Sequence, residues 1–174
     1  VVYLHLKPYY IYNRNLIKKN VNFEIMIGNS KLHQILKNGR LLSDNVAWFD
    51  VMDNREMKDF ILNLVKRDQL FEKGVDSDGN VIGYYSYMTE IISKGVKQEG
   101  DHYTLYAMGD LQRSLYVAVF LNEFVIIGDV KKIENQKWFS DKILGLTDEN
   151  ITKIREKAKI GYVEYFKRTL FKSV

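Results

Sequence analysis

The chain has 174 residues, no cysteine, 46% hydrophobic residues and a formal net charge of +4. This length fits one domain, with or without an arm, and the apolar content is enough for a sizeable core. The lack of cysteine excludes disulfides, thiolate metal sites and cysteine nucleophiles. No apolar run approaches the roughly 18 residues that a membrane helix needs, so a membrane partner is not expected.

The charge is unevenly distributed along the chain. Residues 1–25 have a net charge of +3, residues 26–130 carry 11 basic and 15 acidic groups, and residues 131–174 carry 11 basic and 6 acidic groups. An acidic middle between basic ends could dock head to tail on another copy or on a partner protein, and the basic end could contact nucleic acid. The alternative is a solvated, charged helix face.

The first 25 residues differ from the rest in their poor periodicity and their tyrosine-rich start. We therefore expect residues 1–25 to be an N-terminal extension or arm, with Met26 as the native start. Residues 26–174 are expected to form a single domain.

A long helix is predicted over residues 54–73. Asp53 and Glu56 have the spacing of a capping box. Gly74 is a typical C-terminal stop. One face of this helix is apolar and contains Met57, Phe60, Ile61 and Leu64.

A turn-rich stretch follows, GVDSDGNVIG at residues 74–83, in which Asp78–Gly79 suits a tight turn. Ser86 is predicted to cap a short helix over residues 87–94, and residues 95–101 read as a loop. Residues 103–106 are predicted to form a short strand.

The strongest strand signal is a hairpin made of SLYVAVF at residues 114–120 and FVIIGDV at residues 124–130. Alternation places Leu115, Val117 and Val119 on one face, and Tyr116, Ala118 and Phe120 on the other. Since both faces are apolar, we expect a helix to cover one side and a partner or second layer to cover the other.

A second long helix is predicted to start after Thr147, with acids in its first turn and cations near its end, as the helix dipole favours. The predicted fold class is therefore α+β: a small antiparallel sheet built on a hairpin, packed against two long helices.

No motif indicates catalysis, a metal or a cofactor, and an enzyme is not expected. DSDGN at residues 76–80 places no carboxylate at the first or twelfth position of a calcium loop, so a turn is the preferred interpretation. The histidines do not have zinc-site spacing, and nucleophile and phosphate-loop signatures are absent from the sequence.

Parts of the chain resemble a group of small proteins from tailed phages, mostly phages of Bacteroidetes. The resemblance spans about residues 53–171 and departs at Met108 and at Leu111–Gln112. It is carried by Gln69–Leu70, Gly74, Asp76–Ser77, Gly79, Tyr85–Ser86, Thr89, Thr104–Leu105, Gly109–Asp110, Gly145–Leu146–Thr147 and Glu149–Asn150. The stretch GDLQRSLYV is also similar to a turn in head–tail joining and tail-completion proteins of the neck.

The resemblance implies a virion structural protein, made in the host cytoplasm, that acts through contacts with portal, neck or tail subunits and forms a homo-oligomeric ring. The alternatives are a DNA-binding accessory protein that uses the basic C-terminal third, or an unrecognised phage enzyme. Nucleic acid is the less favoured partner. The candidate interaction residues are Asp76, Asp78, Tyr84, Tyr85, Gly109, Asp110, Arg113, Tyr116, Phe120, Lys157 and Lys167.

Overall fold

The structure is a computed structural model that describes residues 2–4, 30–106, 109–131 and 133–172. Apart from Val2–Leu4, which form a strand, the predicted extension over residues 1–25 and the predicted start at Met26 lie outside the described residues.

Helices dominate the described chain. The α-helices are α1 (Lys31–Gly39), α2 (Asp44–Met52), α3 (Arg55–Asn63), α4 (Tyr87–Ile92), α5 (Asp110–Ser114) and α6 (Asp148–Leu170). A π-helix (Leu64–Lys73) continues α3, and a 3-10 helix (Asp141–Leu144) precedes α6. The strands are β1 (Val2–Leu4), β2 (Tyr116–Val119) and β3 (Phe124–Ile127).

The predicted long helix over residues 54–73 is present, but its start differs from the prediction. Asn54 is the N-cap and its side chain accepts a hydrogen bond from the Met57 amide at 2.8 Å. Asp53 instead ends α2. The predicted capping box of Asp53 and Glu56 is therefore wrong, because the asparagine one residue later caps the helix.

The second half of this helix is widened into π geometry, in which amides bond to the carbonyl five residues earlier. Its buried residues are Leu64, Val65, Gln69 and Leu70, which recur every five positions. A continuous α-helix would bring Asp68 inward after Leu64 and Val65. The wide turns bring Gln69 inward instead, and Phe71, which the apolar pattern assigned to the helix, is exposed.

The sheet has the order β1-β3-β2, and both neighbouring pairs are antiparallel. The β2–β3 hairpin confirms the strongest strand prediction. Its strands are shorter than predicted, because Ser114 ends α5 and Gly128 lies beyond β3. The predicted strand over residues 103–106 is wrong: this segment follows a single bridge between His102 and Tyr84 and has no ladder of its own.

The core lies between the inner face of the hairpin and the helices α2, α3 and α6, which confirms the α+β class. Phe124 and Ile126 of β3 are almost completely buried in it. The indole Nε1 of Trp48 donates a hydrogen bond to the Phe120 carbonyl at 2.6 Å, which ties α2 to the hairpin turn.

Candidate interaction surface

The densest run of exposed apolar side chains lies on and around α4. Tyr87 and Ile91 are one helical turn apart and lie on one stripe of the helix. Met88 and Ile92 are also one turn apart and lie on the stripe beside it. Ile92 is 77% exposed and Val96 is 84% exposed. We call this surface the apolar tip; it consists of Tyr84, Tyr87, Met88, Ile91, Ile92 and Val96.

Local sequence explains why α4 is short. The Ser86 side chain caps its start by accepting the Thr89 amide hydrogen. The helix ends in a reversal at Lys94 and Gly95, both of which have positive φ. Within the described chain α4 makes no extended contact with another helix or strand. Its apolar side chains therefore remain in solvent.

Aromatic side chains that pack on one another connect the apolar tip to the rest of the protein. The Tyr85 side chain, next to Tyr84 of the tip, is buried, and its ring meets the Tyr103 ring edge-on, with 5.0 Å between the ring centroids. Tyr103 in turn packs against Trp138 at 5.2 Å. The Tyr85 hydroxyl lies 3.0 Å from the Thr104 hydroxyl and also accepts the Thr104 amide. These contacts fix the root of the tip to the body of the protein.

The side chains of Glu90 and Ser93 form hydrogen bonds with the backbone that follows α4. Ser93 Oγ accepts the Lys97 amide at 3.0 Å, and Glu90 Oε2 accepts the Glu99 amide at 2.8 Å. The backbone then returns beside Tyr85, whose amide donates to the Asp101 carbonyl at 2.8 Å. The surface is thus held in shape by its own hydrogen bonds, which lowers the ordering cost of binding a partner.

The turn-rich stretch at residues 74–83 makes its contacts within its own chain. Asp76 Oδ1 accepts the amides of Asp78 and Asn80, both at 2.9 Å, which makes the turn. Asp78 forms an ion pair with Lys142, and the Ser77 amide donates to the Lys142 carbonyl. The loop is therefore anchored to the 3-10 helix.

Three predicted residues cluster at the start of α5. Gly109 is buried with a φ of 74°, so it supplies the left-handed turn into the helix. Asp110 and Arg113 form an ion pair one turn apart. Ser114 Oγ accepts the Asp129 amide at 2.9 Å, which joins the end of α5 to the chain after β3.

Two predicted aromatic residues lie on the outer face of the hairpin. Tyr116 and Phe120 are about half exposed. Val125, which pairs with Ala118 on that same face, is only 1% exposed, and the inner face packs on α3. Most of the hairpin's apolar area is thus covered within the chain, and the larger exposed apolar surface lies at the tip.

The basic residues of α6 divide into paired and unpaired groups. Lys157 donates to Glu56 at 2.6 Å and lies over the Phe60 ring, Lys153 pairs with Glu149 at 2.9 Å, and Arg168 pairs with Asp50. Lys167, next to Arg168 near the C-terminal end of the helix, is exposed. These internal pairs reduce the positive charge that nucleic acid would meet.

Several residues that carry the phage resemblance meet in a buried polar cluster. The Gln69 side chain is fully buried; its amide nitrogen donates to the Gly145 carbonyl at 2.8 Å, and its oxygen accepts the Thr147 amide at 3.1 Å. Asn150 donates to the Leu64 carbonyl at 3.3 Å. This cluster joins the π-helix to the start of α6.

An ion-pair network covers the same junction from outside. Lys73 donates to Glu149 at 2.6 Å, and Lys153 contacts both Glu149 and Asp68. Hydrogen bonds from Lys73 and Lys153 lower the pKa of Glu149 from 4.5 to about 2. The carboxylate is therefore ionised in the folded protein at any pH above that value.

We expect Glu149→Gln to reduce stability more at pH 6 than at pH 2. The folded-state pKa of Glu149 lies below 4.5, so its stabilisation is present above that pH and is lost as the pH falls toward about 2. Urea unfolding of both proteins across this range measures the difference. Glu156→Gln, on the exposed side of the same helix, is the control. An equal effect of Glu149→Gln at both pH values contradicts this prediction.

Within the described residues, no group of three or more histidine, cysteine, aspartate or glutamate side chains could hold a metal ion. None of the helices that the structure describes is long and apolar enough to cross a membrane. The chain matches no family model, no curated protein and no solved structure.

The predicted interaction residues thus fall on several separate elements. Only Tyr84 belongs to the apolar tip, and its neighbour Tyr85 is buried. Sequence reasoning did not single out the five other tip residues. The available signal was four apolar residues in the six-residue helix Tyr87–Ile92, which leaves too few polar positions for a solvated helix.

Proposed function

We propose that this chain is a non-enzymatic structural protein of a tailed-phage virion that works by docking on other protein subunits. The observation that carries the proposal is the apolar tip. Its six residues expose on the order of 700 Å² in total, which is close to one partner's share of a standard protein–protein interface. Monomeric proteins rarely leave an apolar patch of this size in solvent.

The resemblance of residues 53–171 to small tailed-phage proteins supports the virion as the setting. The similarity of GDLQRSLYV to neck proteins supports a place at the head–tail junction, where copies would form a ring with portal or tail subunits. A preformed apolar projection suits such a role, because it can enter a groove on a neighbour without first folding.

The DNA-binding alternative receives less support. Lys153, Lys157 and Arg168 are paired with acids of the same chain, so fewer cations remain to contact phosphates.

The test uses particles of the phage that encodes this chain. Wild-type protein supplied during infection is expected to be found by mass spectrometry in purified particles. Ile92→Glu should be excluded from particles at least tenfold and leave heads and tails unjoined, since a buried unpaired charge costs several kcal/mol.

The matched control is Leu41→Glu, which changes a 70% exposed leucine in the turn between α1 and α2. It should be incorporated like the wild type. Circular dichroism checks that both variants are folded. Absence of the wild-type chain from particles, or normal incorporation of folded Ile92→Glu, contradicts the proposed function.

A further inference from the structure

The outer face of α6 forms a second exposed apolar surface. Ile160 is 62% exposed, Val163 is 45% exposed and Phe166 is 37% exposed, while the opposite side of the helix packs in the core through Ile154, Ala158 and Tyr165. Positions 160 and 163 are one turn apart, and position 166 follows after another turn. The face is therefore continuous along the second half of the helix.

Exposed charged residues flank this outer face: three cations and the acid Glu156. Arg155, Lys159 and Lys167 lie on the same side of α6 as Val163, and all three are exposed. None of them forms an ion pair within the part of the chain that the structure describes. They differ in this from Lys153, Lys157 and Arg168, whose acidic partners lie on the body of the protein.

The turn and loop that follow α4, at the margin of the apolar tip, carry two acids and two lysines, Lys94 and Lys97. Glu99 and Asp101 are exposed in the loop that returns from α4, and neither forms an ion pair within the described chain. Residues 26–130, which include the tip, carry a net charge of −4, and residues 131–174, which include α6, carry +5. The two apolar surfaces therefore lie in parts of the chain with opposite net charge.

We infer that the apolar tip of one copy docks on the outer face of α6 of a second copy. The inference rests on the proposed function and names the partner of its site. Apolar side chains would meet at the centre, while Glu99 and Asp101 would approach Arg155, Lys159 and Lys167. The two surfaces are different, so the contact is heterologous, and repetition of it closes a ring or extends a filament.

The areas fit a stable contact between copies. The tip supplies on the order of 700 Å². A contact of about 1,400 Å² in total, within the range of standard interfaces, therefore needs the stems of the charged side chains around Ile160, Val163 and Phe166 as well as these three residues.

The experiment exploits the difference between the two surfaces. Wild-type protein at about 50 µM, above the micromolar dissociation constants of the weaker standard-size interfaces, should sediment as an oligomer larger than a dimer. Ile92→Glu blocks the tip and Ile160→Glu blocks the α6 face, and each variant alone should sediment as a monomer. An equimolar mixture should form a one-to-one dimer, because each variant keeps the surface that the other has lost.

Leu41→Glu is again the control and should keep the wild-type mass. A charge swap provides a second measurement: Lys159→Glu should weaken assembly at low salt, and adding Glu99→Lys should restore it. A monomeric wild type, an Ile160→Glu variant that still assembles, or a mixture that remains monomeric overturns the inference.

These outcomes are separable from those for the proposed function. If the wild type is monomeric in solution but Ile92→Glu is still excluded from particles, the tip docks on a different virion protein. The inference then fails while the proposed function stands. If the wild type assembles in solution but is absent from particles, the proposed function fails while the inferred contact between copies stands.

Discussion

Replacing Gln69 with leucine is expected to lower the free energy of unfolding by about 3–4 kcal/mol, although leucine is apolar and similar in size. The side chain is 0% exposed and contacts Gly145, Thr147 and Asn150. Leucine would leave the Thr147 amide and the Gly145 carbonyl without their partner. Each buried polar group that loses its hydrogen bond costs about 1–3 kcal/mol.

Thermal unfolding followed by circular dichroism measures the effect. For a chain of this size, a loss of this magnitude lowers Tm by about 10 °C. Gln136→Leu is the matched control, because the Gln136 side chain is exposed and the change should move Tm by no more than a degree or two. If the two variants had the same Tm, Gln69 would not hold the π-helix against α6.

Gly74→Ala is expected to cost about 2–4 kcal/mol of unfolding free energy. Gly74 has a φ of 61°, which strains any side chain, and an added Cβ would lie closer than 3.0 Å to the His102 ring. His102 cannot move away freely, because its Nε2 lies 3.0 Å from the Phe71 carbonyl oxygen in hydrogen-bond contact. The substitution therefore combines backbone strain with a clash at the end of the π-helix.

Gly79→Ala separates these two contributions. Gly79 has a φ of 81°, but an added Cβ would meet nothing within 4 Å. It should cost only the backbone strain of about 1 kcal/mol. Urea unfolding of the two variants gives the difference directly. Equal losses for Gly74→Ala and Gly79→Ala would show that His102 yields without cost.

The elements that the sequence predicted correctly are those with a strong local signal. The hairpin was predictable because β-branched and aromatic residues fill both strands around a short turn. The final helix was predictable because Thr147 caps it and an apolar stripe follows. Gly74 likewise marked the end of the earlier long helix in both the sequence and the structure.

The elements that were missed depend on contacts between distant parts of the chain. Helices α1 and α2 were not predicted. Ser30 caps α1, and this signal was not used. Helix α2 is apolar on several sides and lacks a clear apolar stripe. The π geometry of Leu64–Lys73 turns Gln69 inward, where its side chain donates to the Gly145 carbonyl and accepts the Thr147 amide. Local spacing cannot show a bond to residues so far away.

The candidate surface was only partly predictable for a similar reason. Apolar residues in a short helix usually belong to the core, and the sequence of α4 does not show whether a neighbour covers them. Ile92 and Val96 are exposed because α4 makes no extended contact with another helix or strand of the described chain. That placement is a tertiary property.

The chain enters and leaves the tip at adjacent points. The Tyr85 amide donates to the Asp101 carbonyl and the Gly100 amide donates to the Tyr85 carbonyl, so the segment between them departs from one place and returns to it. Insertions and exchanges at such a projecting loop leave the core packing untouched. The segment between Tyr85 and Asp101 could therefore be exchanged for another one without any change to the scaffold that holds it.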